Sequence, residues 1–335
     1  VAAALANQFE VHVRTGGPNA GHTFYHDHEK FVARSIPCGW INPDALLLVG
    51  PGAVIDLEVF KRELQEINDR ADVAERLTVD YRATVISHSQ HQGEGGVHGV
   101  AHREIGSTGE GVGLARMSRI NRDTLISTDI SPFAHIRAHD RREEFESMGV
   151  QVEDVASILH SEIEAGAEVL LEGTQGCGLS MTLGPWPYCT SADTNAAQLA
   201  SDAGISPSDV KETVLVARTY PIRVAGKSGP LWSETTWEEV GQKPETTTVT
   251  KKVRRVGLWN DDQVRQASRV NHPALLVITF LDYIFPETAG IRNWRALPQP
   301  ALDWLIEKER LLNLRVIGVG TGPDSYCPIG QLGAP

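Results

Sequence analysis

Apolar runs along this chain are short, rich in β-branched residues, and stop at glycine-rich turns. Val11 to Arg14 leads into Gly16 to Thr23, Leu46 to Val49 into Gly50 to Gly52, and Val169 to Leu171 into Glu172 to Gly176. Val214 to Ala217 leads into Arg218 and a turn at Pro221, Leu275 to Leu281 stops at Asp282, and Arg315 to Val319 runs into Gly320 to Gly322. Between these runs, Leu57 to Asp69, Val152 to Ala165, Asp261 to Val270 and Ala301 to Leu312 carry a helical pattern. Continuous apolar strands alternating with amphipathic helices predict an α/β fold: a mostly parallel central sheet with helices on both faces. Ligands of such sheets bind in loops at the carboxyl ends of the strands. Glycine is more frequent in these loops than packing requires. With no linker-like break and no internal repeat, the pattern predicts a single domain over residues 1–335, with an excursion around residues 80 to 150.

The opening stretch VAAALANQFE reads as helix interior without an N-cap. It is either a trimmed terminus or the continuation of a strand and loop that come before it.

Composition narrows the function classes. Hydrophobic residues make up 41% of the 335 and charged residues 22%, which excludes a disordered chain and leaves enough apolar mass for a core without staples. A net charge of −12 repels a phosphate backbone, so nucleic acid is not an expected partner. Small phosphorylated substrates fit, held by local Arg, Lys and backbone N–H groups. Cys38, Cys177, Cys189 and Cys327 form no CxxC pair, which argues against a zinc ribbon or disulfide framework and suits a reducing cytoplasm. No apolar run approaches the roughly 20 residues of a membrane helix, and no signal peptide is evident.

Four segments could carry chemistry. In GGPNAGHT (Gly16 to Thr23), glycines let the backbone approach a ligand, Asn19 can bond a phosphate oxygen, and His22 is poised over the loop; a plain tight turn is the alternative. GSTGEGVG (Gly106 to Gly113) offers Ser107 and Thr108 to an anion, but lacks the Lys-Ser/Thr pair of a P-loop. EGTQGCG (Glu172 to Gly178) presents Gln175, whose amide can read a base edge, and Thr190 follows it. KKVRR (Lys251 to Arg255), preceded by Thr246, Thr247, Thr248 and Thr250, is either a solvated turn or a carboxylate clamp. His88, His91, His98 and His102 have no Cys or helix-spaced carboxylate to complete a metal set, and glycines interrupt them.

Taken in order, GGPNAGHT, LLVGPGAVID, IGSTGEGVG, EGTQGCGLSMTLGPWPYCTS, TYPIRVAGKSGPLWSE, VRRVG, TFLD and VGTGPD resemble the adenylosuccinate synthetase family across residues 11 to 324. The resemblance implies a carbon–nitrogen ligase. A nucleoside triphosphate phosphorylates O6 of a 6-oxopurine nucleotide, and the amino group of aspartate then displaces that phosphate. It implies His22 as the catalytic histidine and the Gly21 carbonyl as a ligand of Mg²⁺. Asn19, Ser107, Thr108, Gln175 and Thr190 would hold the nucleotide, with Arg122 reaching the substrate phosphate of a neighbouring subunit in a homodimer. Thr250, Lys252 and Arg254 would bind aspartate, and Asp282 with Gly320 and Gly322 the base of the triphosphate.

Departures from the family pattern shape the expectation. The family's GDEGKGK-like loop, with its Asp base, would precede Val1. KKVRR stands where an arginine run is usual, so Lys252 lacks the forked guanidinium that reaches the ribose region. Phe280 replaces a common lysine, which permits ATP. The chain is short, like archaeal and phage members, and PIRVAGKSGP is similar to the phage branch, which makes a 2-aminoadenine precursor in the host cytoplasm. The expected substrates are therefore dGMP and aspartate, with ATP, dATP or GTP as phosphoryl donor. IMP with GTP is the alternative pair. A nucleotide-binding regulator without catalysis and a hydrolytic P-loop ATPase are rivals from other classes.

Overall fold

The computed structural model describes residues 1–122, 134–247 and 251–332, and the chain packs as two compact units. One comprises Ala2–Thr23 and Phe31–Asp209; the other comprises Val1, Phe24–Lys30 and the chain from Val210 onward.

The first unit is built on a five-stranded, all-parallel sheet. Its spatial order is Val169–Glu172, Val11–Arg14, Leu46–Val49, Leu77–Asp80, Gln151–Glu153. Val11, Val13, Leu47, Leu48, Leu77 and Val79 are buried, as a sheet covered on both faces demands. Helix Leu57–Asn68 starts where the Asp56 carboxylate accepts the N–H groups of Glu58 and Val59 at 2.9 and 3.0 Å, and it buries Val59, Phe60, Leu64 and Ile67. From the same helix, Glu63 accepts three successive backbone N–H groups, Arg34 to Ile36, at 2.9–3.1 Å. That tie fixes the chain just beyond the first glycine loop. Burial pushes the Glu63 carboxyl up to about 7, against Arg14 and the three donors.

The second unit holds a four-stranded sheet. Val214–Arg218, Leu275–Thr279 and Arg315–Gly322 are parallel, and Ser325–Pro328 closes the edge antiparallel. Helices Asp261–Asn271 and Gln299–Leu312 contribute Val264, Ala301, Leu305 and Leu312 to a core with Leu276, Ile278, Val316 and Val319. An antiparallel trio of short strands, Ile222–Arg223, Arg255–Gly257 and Glu234–Thr235, carries the cationic segment.

The fold is α/β with mostly parallel sheet, as the hydrophobic pattern predicts. Details differ. The strand from Leu275 ends at Thr279, because Phe280 adopts a left-handed φ of 62° and Asp282 enters the short helix Leu281–Ile284. Gly320 and Gly322 belong to strand Arg315–Gly322 rather than to a loop after it. Val152 sits in strand Gln151–Glu153, and the helix begins at Val155 behind the Asp154 cap. The excursion contains helices His88–Glu94, Val100–Ile105 and Val112–Asn121.

Candidate active site

Two adjacent parallel strands of the first unit end in opposite charges, Arg14 and Glu172, which are partners in the sheet register. Arg14 is fully buried and donates from Nη1 to Glu172 Oε1 at 2.7 Å. It also donates to the carbonyls of Arg34 and Ala20, both at 3.1 Å, and so pins the GGPNAGHT loop. His22 Nδ1 bonds the same Glu172 Oε1. Cys38 donates its backbone N–H to Oε2 at 2.8 Å and its thiol to Oε1 at 2.9 Å. Burial alone would raise the Glu172 carboxyl. Arg14, His22 and Cys38 outweigh it and hold the group well below the usual carboxylate range. Glu172 is therefore an ionised, fully bonded acceptor that selects the Nδ1–H form of His22, directing the ring's Nε2 elsewhere. The His22 side chain keeps 31% of its surface exposed, against 2% for Glu172.

The ligand atoms of His22, Cys38 and Glu172 lie within 4.8 Å of one another. That set does not suit magnesium, which takes oxygen ligands. It suits a softer metal no better, because burial and the Glu172 charge push the Cys38 thiol well up and keep it protonated. The group is a histidine-orienting device. Among the four histidines between His88 and His102, His102 Nδ1 is engaged with the Ser107 carbonyl at 2.5 Å.

Beside this cluster lies a cleft where the GGPNAGHT and EGTQG loops converge with the 190–194 segment. Asn19, Gln175 and Thr190 all line it. The loops meet closely: a Cβ on Gly16 would fall 2.7 Å from Thr174 Cγ2, so any larger residue there would have to displace the Thr174 side chain. Gln175 holds a left-handed φ of 71° and donates from its amide to Thr190 Oγ1 at 3.1 Å. A non-glycine residue in that region stores strain of the kind found at binding sites. Arg34 joins two of the glycine loops, donating to the Pro18 carbonyl at 2.5 Å and to Glu110 of GSTGEGVG at 2.6 Å.

The second unit contains a separate charged cluster. Glu245 accepts from Arg218, from the Tyr283 hydroxyl at 2.9 Å, and from Arg254 at 3.5 Å. The Arg218 guanidinium stacks 3.5 Å over the Phe280 ring. Burial lowers the Arg254 pKa against the pull of Glu245 but leaves it a cation. Asp282 Oδ1 is buried with no hydrogen-bond partner, an open acceptor. Burial pushes that carboxyl up. A Cβ on Gly320 would lie 3.4 Å from Phe280 N, so strand Arg315–Gly322 passes close to the turn that carries Asp282.

The family model described as adenylosuccinate synthetase matches residues 1–142 and 137–285. The adenylosuccinate synthetase of Thermococcus sibiricus is 35% identical over 324 residues, covering 96% of this chain and 90% of that protein. That of Methanococcus vannielii is 36% identical over 310 residues, 92% of this chain and 86% of that protein. The chain belongs to the adenylosuccinate synthetase family. As an adenylosuccinate synthetase-type enzyme it is a carbon–nitrogen ligase that draws on a nucleoside triphosphate. Among solved structures, the succinoaminodeoxyadenylate synthetase PurZ of cyanophage S-2L, bound to dGMP and dATP as an energy donor, is 26% identical with a TM-score of 0.78, covering 98% of this chain and 91% of that one. The adenylosuccinate synthetase of Plasmodium falciparum superposes with a TM-score of 0.82 at 19% identity, covering 98% and 96%, which speaks to the fold.

On this synthetase fold, Asn19, Gln175 and Thr190 share one cleft, and His22 stands in the adjoining cluster. Gly21 is exposed beside it. Ser107 and Thr108 stay outside the residues lining the cleft, and Ser107 Oγ accepts the Gly109 N–H at 3.2 Å. Arg122 is exposed at the left-handed end of helix Val112–Asn121. Lys252 is exposed, with its N–H bonded to Thr247 Oγ1 at 3.1 Å, and Thr250 lies outside the described residues. Sequence reasoning missed Arg14, Cys38, Glu172, Arg116 and Asp202 as contributors. The available signal was a charged residue at the end of an apolar run, which both Arg14 and Glu172 show.

Proposed function

We propose that the enzyme joins aspartate to C6 of dGMP through a 6-phosphoryl intermediate, with ATP or dATP as phosphoryl donor. The observation that carries the reaction type is the His22–Glu172–Arg14 chain beside the cleft of Asn19, Gln175 and Thr190. An ionised Glu172 keeps the Nδ1 proton of His22 in place, so a second proton on Nε2 makes the ring an imidazolium. Held there, Nε2–H donates to O6 as negative charge grows on it during phosphoryl transfer. Asn19, Gln175 and Thr190 orient the nucleotide. Arg254, with Lys252 and Thr250, receives the carboxylates of aspartate, and Asp282 accepts an N–H of the triphosphate's base, beside Gly320 and Gly322.

We assign magnesium to the backbone carbonyl of Gly21, an exposed residue next to His22, because that ion takes oxygen donors. When bound, the ion would neutralise phosphoryl charge.

Two points support dGMP. PurZ of cyanophage S-2L, which is similar over nearly the whole chain, is bound to it. Lys252 also lacks the fork that would hold a ribose hydroxyl, so a deoxy sugar loses little. The archaeal relatives favour a second reading, IMP with GTP. Steady-state assays with aspartate, Mg²⁺ and, in parallel, saturating ATP or saturating GTP decide between them. The expected result is a higher kcat/KM for dGMP than for IMP. Turnover of IMP with none of dGMP would establish the second reading.

A further inference from the structure

Arg116 lies in helix Val112–Asn121 and lines the cleft together with Asn19, Gln175 and Thr190. Its Nε is buried without a hydrogen-bond partner. The other buried unpartnered side-chain atoms among the described residues, on His12, Ser35 and Asp282, belong to residues that do not line the cleft. The guanidinium makes no ion pair within 4.0 Å among the described residues. Asp202, in the same cleft, favours its charge from a distance, but that carboxylate accepts the Gln198 amide at 2.8 Å, and burial pushes it up toward the neutral form. The neighbouring Arg119 shows the contrast, since it donates to the Pro51 carbonyl at 2.8 Å.

Arg116 as a whole is half-buried, and a guanidinium cannot shed its proton, so burying its Nε–H unpaired is costly until an acceptor arrives. A neutral purine would leave that charge uncompensated. A phosphate dianion would compensate it, with three acceptor oxygens for the forked N–H groups. The amides and hydroxyls of Asn19, Gln175 and Thr190 around the cleft suit the same ligand.

We propose that Arg116 binds the 5′-phosphate of the substrate nucleotide, which makes it a phosphate-reading arginine supplied by this chain itself. The proposal rests on the ligase reading and adds to it the residue that tells a nucleotide from a nucleoside.

The test is calorimetric titration of the full-length protein with dGMP and IMP, each against its nucleoside, deoxyguanosine or inosine. In the wild type the nucleotide should bind more tightly than the nucleoside. In Arg116→Gln that advantage should fall by about 10- to 100-fold, the range of one or two charge-assisted hydrogen bonds. KM for the monophosphate should rise while KM for aspartate holds. Arg116→Lys, which keeps the charge, should recover part of the advantage and also serves if the Gln variant does not fold. An unchanged nucleotide-to-nucleoside ratio in folded variants would overturn the assignment. A wild type that binds none of these ligands would instead overturn the ligase reading.

Discussion

His22→Ala should lower kcat by about 10²–10⁴-fold, while affinity for the substrate nucleotide changes only several-fold. The expectation follows from where the ring is held. Its Nδ1 is committed to Glu172, its Nε2 is directed away from that carboxylate, and the nucleotide cleft is formed by other side chains. Removing the ring leaves Glu172 with Arg14 and two donors from Cys38, so the sheet end stays neutralised and the fold persists. Steady-state kinetics paired with calorimetric binding separates the two effects. A variant with more than half of wild-type turnover would show that His22 is not the proton donor.

Glu172→Gln should be the more damaging change, because it acts on stability and catalysis together. It leaves the fully buried Arg14 without its counter-charge, and breaking such a pair typically costs about 3–5 kcal/mol. It also removes the acceptor that fixes the His22 tautomer, so turnover should fall with it. The stability effect carries a defined pH signature. The folded-state pKa of Glu172 is depressed, so its contribution is complete above the unfolded value of about 4.3 and is lost as pH falls toward the folded value. In urea unfolding, the gap between wild type and Glu172→Gln should be constant from neutral pH down to about 5 and then narrow on further acidification. A gap that widened in acid would place the proton on another group.

How much of this was legible in the sequence depends on whether a feature is local. Strand Val11–Arg14 is marked by its two valines running straight into a glycine loop, and Leu46–Val49 announces itself because it is buried on both faces and so reads as an unbroken apolar run. Strands Leu77–Asp80 and Gln151–Glu153 do not, since polar Thr78, Gln151 and Glu153 interrupt them. The helices between His88 and Asn121 are hidden by glycines such as Gly95 and Gly106, which act as left-handed helix ends rather than as loop. The same division runs through the site. The glycine loops with Asn19, His22 and Gln175 are visible as strings. The ion pair that orients His22 joins residues 158 positions apart, and only the pairing of their two strands brings them together. Arg116 sits mid-helix with no motif around it and is recognisable only from the missing partner in the cleft.

The central claim is that O6 of the purine leaves as phosphate and is replaced by the amino nitrogen of aspartate. In that sequence the phosphoryl group passes from the triphosphate to O6, and the C6–O6 bond then breaks as the C6–N bond forms. A nucleotide carrying ¹⁸O at position 6, turned over with aspartate, Mg²⁺ and ATP, tests this directly by mass spectrometry of the products. The account predicts one ¹⁸O in the inorganic phosphate for each succinylamino nucleotide formed. Unlabelled phosphate, or phosphate released with no succinylamino product, would contradict it.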